Sequence, residues 1–240
     1  MTKTNQQKVK DFLINNGVII VMFILVIYTG FTSDNFFTKN NFMNILMNMS
    51  SRLVIALGIA GCVITAGCDL SAGRMIGFGA CISGMLLQRM DYSGKFFPDM
   101  QPLNVFVVAL IAMLVCAAFG TVTGFFIAYL NVPPFIATLA MMEIVYGIGL
   151  IVTNATPLGG YVEQYTNVSN GKFLGINYLI WIAIIVAAIT WFIFNMTRHG
   201  KYMYAIGGNP QAAEVAGVPV KATLILIYMK AAAMYGLAGF

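Results

Sequence analysis

The sequence predicts an all-α, polytopic membrane helix bundle of about seven spans, the N-terminus cytoplasmic, and three observations predict it. Of the 240 residues 60% are apolar and 9% charged, with a mean hydropathy of +0.85. A soluble domain carries roughly 25% charged residues, and without them it cannot cover its surface in water. The apolar residues fall in continuous runs of about 20, the length of helix that crosses a hydrocarbon core of about 30 Å. Those runs do not alternate polar and apolar, as strands of a membrane barrel would.

The first run is Phe12–Phe31, behind Lys3, Lys8 and Lys10. It is too long for a cleaved signal segment and no A-x-A site follows it, so it reads as a retained anchor. The second is Phe42–Ala66, containing Arg52; a polar break, Gly67-Cys68-Asp69-Leu70-Ser71-Ala72-Gly73-Arg74, divides it from the third, Met75–Met90. Leu103–Leu130, Phe135–Thr153, Tyr178–Phe194 and Ala222–Phe240 complete the set. Pro133-Pro134 after Asn131 predicts a tight turn between the fourth and fifth, because proline fixes its own φ and disfavours helix in the residue before it. Gly73-x-x-x-Gly77 and Gly120-x-x-x-Gly124 are candidates for close helix approach. Tyr28, Tyr92, Tyr161, Tyr165, Trp181 and Tyr202 fall near span ends, as interfacial aromatics do.

Lysine and arginine in the loops set the orientation. An inside N-terminus puts Lys3, Lys8, Lys10, Arg74, Arg198, Lys201 and Lys221 on the cytoplasmic side, against Lys39, Arg52, Arg89, Lys95 and Lys172 outside. The net charge of +5 is spread too thinly to track a phosphate backbone, which excludes nucleic acid as a partner, and it suits a chain lying against anionic headgroups.

Enzymatic chemistry finds no support. His199 is the one histidine, which argues against a histidine metal site or a Ser-His-Asp triad. Cys62, Cys68, Cys81 and Cys116 sit in or beside apolar runs without C-x-x-C spacing and read as small buried hydrophobes. No phosphate-cradling G-x-x-x-x-G-K-[ST] is present: Gly94-Lys95, Gly171-Lys172 and Gly200-Lys201 lack the upstream glycine and the following hydroxyl. No cofactor or metal is called for.

The long polar segment 195–221 lies inside in this topology. Asn209-Pro210-Gln211-Ala212-Ala213-Glu214-Val215-Ala216-Gly217 reads as a complete short helix. Asn209 can cap the first amides, and Pro210 suits the first helical position, where its missing N–H costs nothing. Gly217 can take the left-handed turn that ends the helix, and Pro219 blocks continuation. Two turns are marginal alone in water, so this helix must pack against its own bundle, the membrane surface or a partner.

Here the chain resembles a known family. Thr197-Arg198-His199-Gly200-Lys201, then Ala205-Ile206-Gly207-Gly208-Asn209-Pro210, Ala212-Ala213 and Gly217-Val218, is similar to the cytoplasmic coupling loop of sugar-type ABC transporter permeases. Gly67-Cys68-Asp69-Leu70-Ser71-Ala72-Gly73 resembles that family's G-x-D-L-S-x-G, and Val132-Pro133-Pro134-Phe135-Ile136-Ala137-Thr138-Leu139 its x-P-F-I-x-T-L-G. Leu87-Gln88-Arg89-Met90-Asp91 with Phe97-Pro98-Asp99-Met100 is most similar to the galactose/methyl-galactoside members.

The resemblance implies one transmembrane permease domain over 1–240 with its coupling loop at 195–221, multi-pass in the inner (plasma) membrane. Gly207, Gly208, Asn209, Pro210, Ala212, Ala213, Glu214 and Gly217 would meet a separate cytoplasmic ATP-binding subunit. A periplasmic or extracellular sugar-binding protein would deliver the cargo, and a second permease copy would complete the path. Family members continue for further spans, so the resemblance also implies C-terminal truncation. Departures are Ala140 in place of a glycine, and the charges Glu143 and Lys230 within apolar runs, each costing about 2.5–3.5 kcal/mol to insert.

Asp69 and Ser71, with Arg74 beside them, carry two readings. They either line the sugar path, or Asp69 caps the next helix and Arg74 supplies a local counter-charge. Asn154–Asn177, polar and nearly neutral, is either a docking segment for the binding protein or a connector. A competing function is an ion-driven secondary transporter using Glu143, Asp69 and Lys230 for coupling.

Overall fold

The computed structural model describes residues 5–33 and 35–240, with side chains from Leu13 onward. Lys3, one of the lysines that set the orientation, lies outside the described residues. The elements are α1 (Asn5–Thr32), α2 (Lys39–Ile64), α3 (Ala72–Leu86), α4 (Val105–Tyr129), α5 (Pro134–Thr153), α6 (Glu163–Asn170), β1 (Lys172–Phe173), β2 (Ile176–Asn177), α7 (Tyr178–Met196), α8 (Arg198–Gly208), α9 (Pro210–Val215) and α10 (Val220–Gly239). Among the described residues, six helices are long and apolar enough to cross a membrane: α1 from Leu13, α2, α4, α5, α7 and α10. The protein is thus an all-α, multi-pass membrane bundle. The remaining apolar run forms α3, whose 15 residues rise only about 22 Å and fall short of a full crossing.

The chain divides into a unit of residues 1–46 and a unit of residues 47–240, with α2 running through the boundary. In the first, the turn after α1 closes with Asn41 Nδ2 donating to the Phe36 carbonyl at 2.8 Å.

The second unit is built around α10. Its buried residues Thr223, Ile227, Tyr228, Ala231, Ala232, Tyr235 and Gly236 recur at helical spacing and form one face. Ile227, Tyr228, Ala231, Ala232 and Tyr235 join Cys62, Met75, Phe78, Ala112, Cys116, Ile127, Met141, Val145 and Met203 in the main core, and Leu87, Val105 and Val108 form a smaller one. Membrane helices gain little from hydrophobic exclusion by lipid, so close backbone packing must hold them. Gly120 and Gly124 of α4 supply it: a side chain at Gly120 would run into the Tyr228 carbonyl, and a Cβ at Gly124 would lie 2.7 Å from the Cα of Ile225. Gly73 and Gly77, the other spaced pair, have nothing within 4 Å and bring no helix close.

Caps explain the helix starts. Asn104 accepts from the Phe106 amide at 2.9 Å to begin α4, and Asn177 from the Leu179 amide at 2.8 Å to begin α7. The proline pair behaves as the sequence predicts: Pro134 is the first residue of α5 and Asn131 turns through φ 52°. β1 and β2 pair antiparallel around Leu174 and Gly175, which both take positive φ, as a tight hairpin turn requires.

The connections of this unit gather at two ends. At one, the segments 87–104 and 154–162 interlock: Gln88 Nε2 donates to the Gly159 carbonyl at 3.0 Å, the Phe96 amide donates to Gln88 Oε1 at 2.7 Å, and the Arg89 amide donates to the Gly160 carbonyl at 2.7 Å. At the other, the end of α8 lies against the end of α2, with Gly207 packed on the Ile64 carbonyl. Lys221, where α10 begins, extends over the Tyr129 ring at the end of α4.

Candidate functional site: the α8–α9 segment and the helix break at Asp69

The segment 197–219 folds as two short helices where the sequence shows one. α8 starts on Thr197, whose hydroxyl accepts from the Gly200 amide at 3.3 Å, and it buries Gly200, Met203 and Ile206. Gly200 meets the Phe194 carbonyl with no room for a side chain, which lets α8 fold back directly onto the end of α7. α8 carries only those two buried apolar side chains, too few to make a periodic signal.

α9 follows as the sequence dictates. Asn209 Oδ1 accepts from the Ala212 amide at 2.9 Å and Pro210 is the first helical residue. At the other end Gly217 (φ 83°) donates its amide to the Glu214 carbonyl and Val218 to the Ala213 carbonyl, both at 3.0 Å. This is the complete glycine-terminated stop, with the last carbonyls satisfied. Ala213 is 5% exposed and faces the chain's own helices, whereas Gln211, Ala212, Glu214 and Val215 face outward. Val215, 91% exposed, was not singled out from the sequence, although it follows Ala212 by one helical turn. A bare valine and alanine on a capped two-turn helix form a small, rigid, apolar contact surface. Gly207 is needed where it touches Ile64, while Gly208 has nothing within 4 Å.

The second candidate cluster is the break between α2 and α3. α2 ends with the Ala66 amide donating to the Val63 carbonyl at 3.0 Å and the Gly67 amide to the Cys62 carbonyl at 2.9 Å, with Ala66 at φ 57°. Asp69 Oδ1 accepts from the Ser71 amide at 3.0 Å and from its hydroxyl at 2.6 Å, while Oδ2 accepts from the Tyr235 hydroxyl at 3.0 Å. Ser71 is buried and stands at the start of α3. Asp69 thus bonds to Ser71, the N-cap residue of α3, which itself makes no side-chain cap, and it has an unforeseen third partner on α10. Arg74 does not pair with Asp69; its guanidinium lies 3.8 Å from the centroid of the Tyr146 ring on α5.

Tyr228 and Tyr235 are well inside the 20-residue α10, so the break faces the body of that helix and not its end. Irregular backbone at such depth is tolerated where protein surrounds it and satisfies its polar groups. Of the other charges in apolar helices, Glu143 is exposed on α5, and Lys230 shares a small pocket with His199, Thr190 and Phe194. His199 has a buried Nε2 without a hydrogen-bond partner, and burial, followed by the charge of Lys230, pulls its pKa down from 6.5 to about 4.

The described residues thus form a polytopic helix bundle that carries an exposed, capped two-turn helix. Comparison with known proteins agrees: residues 41–240 match the family described as branched-chain amino acid transport system / permease component, and the chain belongs to that family. It is 39% identical over 246 residues to the galactose/methyl galactoside import permease protein MglC of Escherichia coli (strain K12), covering 100% of this chain and 73% of the relative. The MglC of Haemophilus influenzae is 40% identical, with the same coverage. The ribose import permease protein RbsC of Escherichia coli (strain K12) is 31% identical over 96% of this chain and 69% of the relative. No solved structure matches the chain.

Proposed function

We propose that the protein is the membrane-spanning subunit of an ATP-driven importer in the inner (plasma) membrane, for a monosaccharide or small glycoside of the galactose/methyl-galactoside class. The observation that carries the reading is α9, with Asn209, Pro210 and Gly217 fixing its ends, Ala213 seating it, and Ala212, Glu214 and Val215 turned outward. A helix held so firmly by its own caps can receive a push from a partner without unravelling. The partner is a cytoplasmic ATP-binding subunit, since the chain has no phosphate loop of its own. The cargo class is supported by the relatives, three of them import permeases for galactose/methyl galactoside or ribose by name.

In this reading 195–221 is the cytoplasmic coupling loop, the N-terminus is also inside, and 87–104 with 154–177 face the periplasm or exterior, where a sugar-binding protein docks. Two permease copies enclose the path. ATP-driven closure of the partner subunits moves α9 as a rigid body and turns the bundle between inward- and outward-facing states. The ion-driven alternative gains nothing from the structure: Glu143 is exposed, Lys230 lies by His199, and Asp69 is engaged by Ser71 and Tyr235.

Affinity capture of the chain from detergent-solubilised membranes tests this directly. Wild type should bring down an ATPase, and Val215→Lys and Glu214→Lys should each lose it while the permease itself stays folded. Capture equal in all three would remove α9 as the docking element, and methyl galactoside uptake that persists without ATP would overturn the reading.

A further inference from the structure

The break between α2 and α3 borrows its hydrogen-bonding partners from α10. Tyr228, 1% exposed, donates its hydroxyl to the Cys68 carbonyl at 3.3 Å, and Tyr235, fully buried, donates to Asp69 at 3.0 Å. Gly67 makes the first contact possible, since a Cβ there would come within 2.6 Å of the Tyr228 hydroxyl. The two tyrosines are seven residues apart, on one face of α10, and grip neighbouring residues of the break. The Tyr235 bond stands at the long end of the ordinary O–H···O range and the Tyr228 bond beyond it, so a relative displacement of about half an ångström takes either past the limit at which a hydrogen bond is made.

α10 also follows directly on α9 in the chain. Only residues 216–219 separate the two, and the Gly217 stop and Pro219, which caps α10, leave little slack between them. Along its length α10 presents its own backbone to Gly79 of α3 and to Gly120 and Gly124 of α4, where a side chain would otherwise stand. A displaced α10 must therefore either carry the break with it or lose its two bonds.

We propose that Tyr235 is a positioning residue of the transport cycle: through Asp69 it ties the 65–71 break to α10, so that displacement of α9 reorients the start of α3. The proposal rests on the coupling role given to α9 above. It makes no demand that Asp69 touch the cargo. Its output is the direction of α3, the short helix that also packs against α4 and α5.

The test uses the complete transporter, this permease with its ATP-binding subunit and sugar-binding protein, reconstituted in liposomes with radiolabelled methyl galactoside. Tyr235→Phe, Asp69→Ala and the double variant are compared for assembled complex, thermal midpoint, ATP hydrolysis and uptake per complex. Tyr235→Phe should assemble and hydrolyse ATP as wild type does, with uptake per complex down about tenfold, so that more ATP is spent per sugar moved. The double variant should be no worse than the more affected single one, because both remove the same link. Unaltered uptake per complex, or uptake and hydrolysis falling together in proportion to lost complex, would overturn the positioning role and leave the importer reading standing. A wild-type complex that moves no methyl galactoside on ATP would overturn both.

Discussion

Gly120 of α4 lies so close to Tyr228 of α10 that the tyrosine's carbonyl occupies the space where a side chain would begin. The contact joins two spanning helices backbone to backbone, and Gly124 repeats it one turn on, against Ile225. Gly120→Ala should therefore cost about 1–3 kcal/mol as the helices are forced apart. At Gly77 nothing stands within 4 Å, so Gly77→Ala should gain about 0.5–1 kcal/mol from helix propensity alone. Thermal midpoints in detergent should move in opposite directions for the two variants.

Ala66 ends α2 in the left-handed conformation, at φ 57°, where its Cβ crowds the following carbonyl. Ala66→Gly should relieve roughly 1 kcal/mol and raise the midpoint, whereas Ala66→Val should lower it by more than that. A lowered midpoint for the glycine variant would show that Ala66 is held by packing and not by the turn.

His199 should make stability depend on pH. Folding holds its pKa near 4 against an ordinary 6.5, so between these values the unfolded chain binds the proton that the folded chain refuses. Stability is fully present above about pH 6.5 and declines as pH falls through that window. Because His199 is the one histidine, His199→Leu should flatten the midpoint between about pH 7 and about pH 5. A slope unchanged by the substitution would assign the effect to carboxyl groups.

Local patterns carried most of the fold. The runs Leu103–Leu130, Phe135–Thr153 and Ala222–Phe240 became α4, α5 and α10 within a few residues, and α9 was legible down to its capping atoms, because Asn209, Pro210 and Gly217 act on their immediate neighbours. α3 was harder: the apolar run continues through Leu87 to Met90, but the helix stops at Leu86, and Leu87 and Gln88 are buried in the loop instead. The Tyr235 to Asp69 bond spans 166 residues and leaves no trace in either neighbourhood, which is why Asp69 carries two readings in the sequence, a path residue and a cap.

The bonds from Gln88 and Arg89 to Gly159 and Gly160 fasten the segment after α3 to the segment after α5, two helices that also pack together. Fastened at that rim, the pair behaves as one leaf of a door. Such a fastening resists a twist of either helix on its own axis, the motion of an iris blade, more than it resists a swing of the two together.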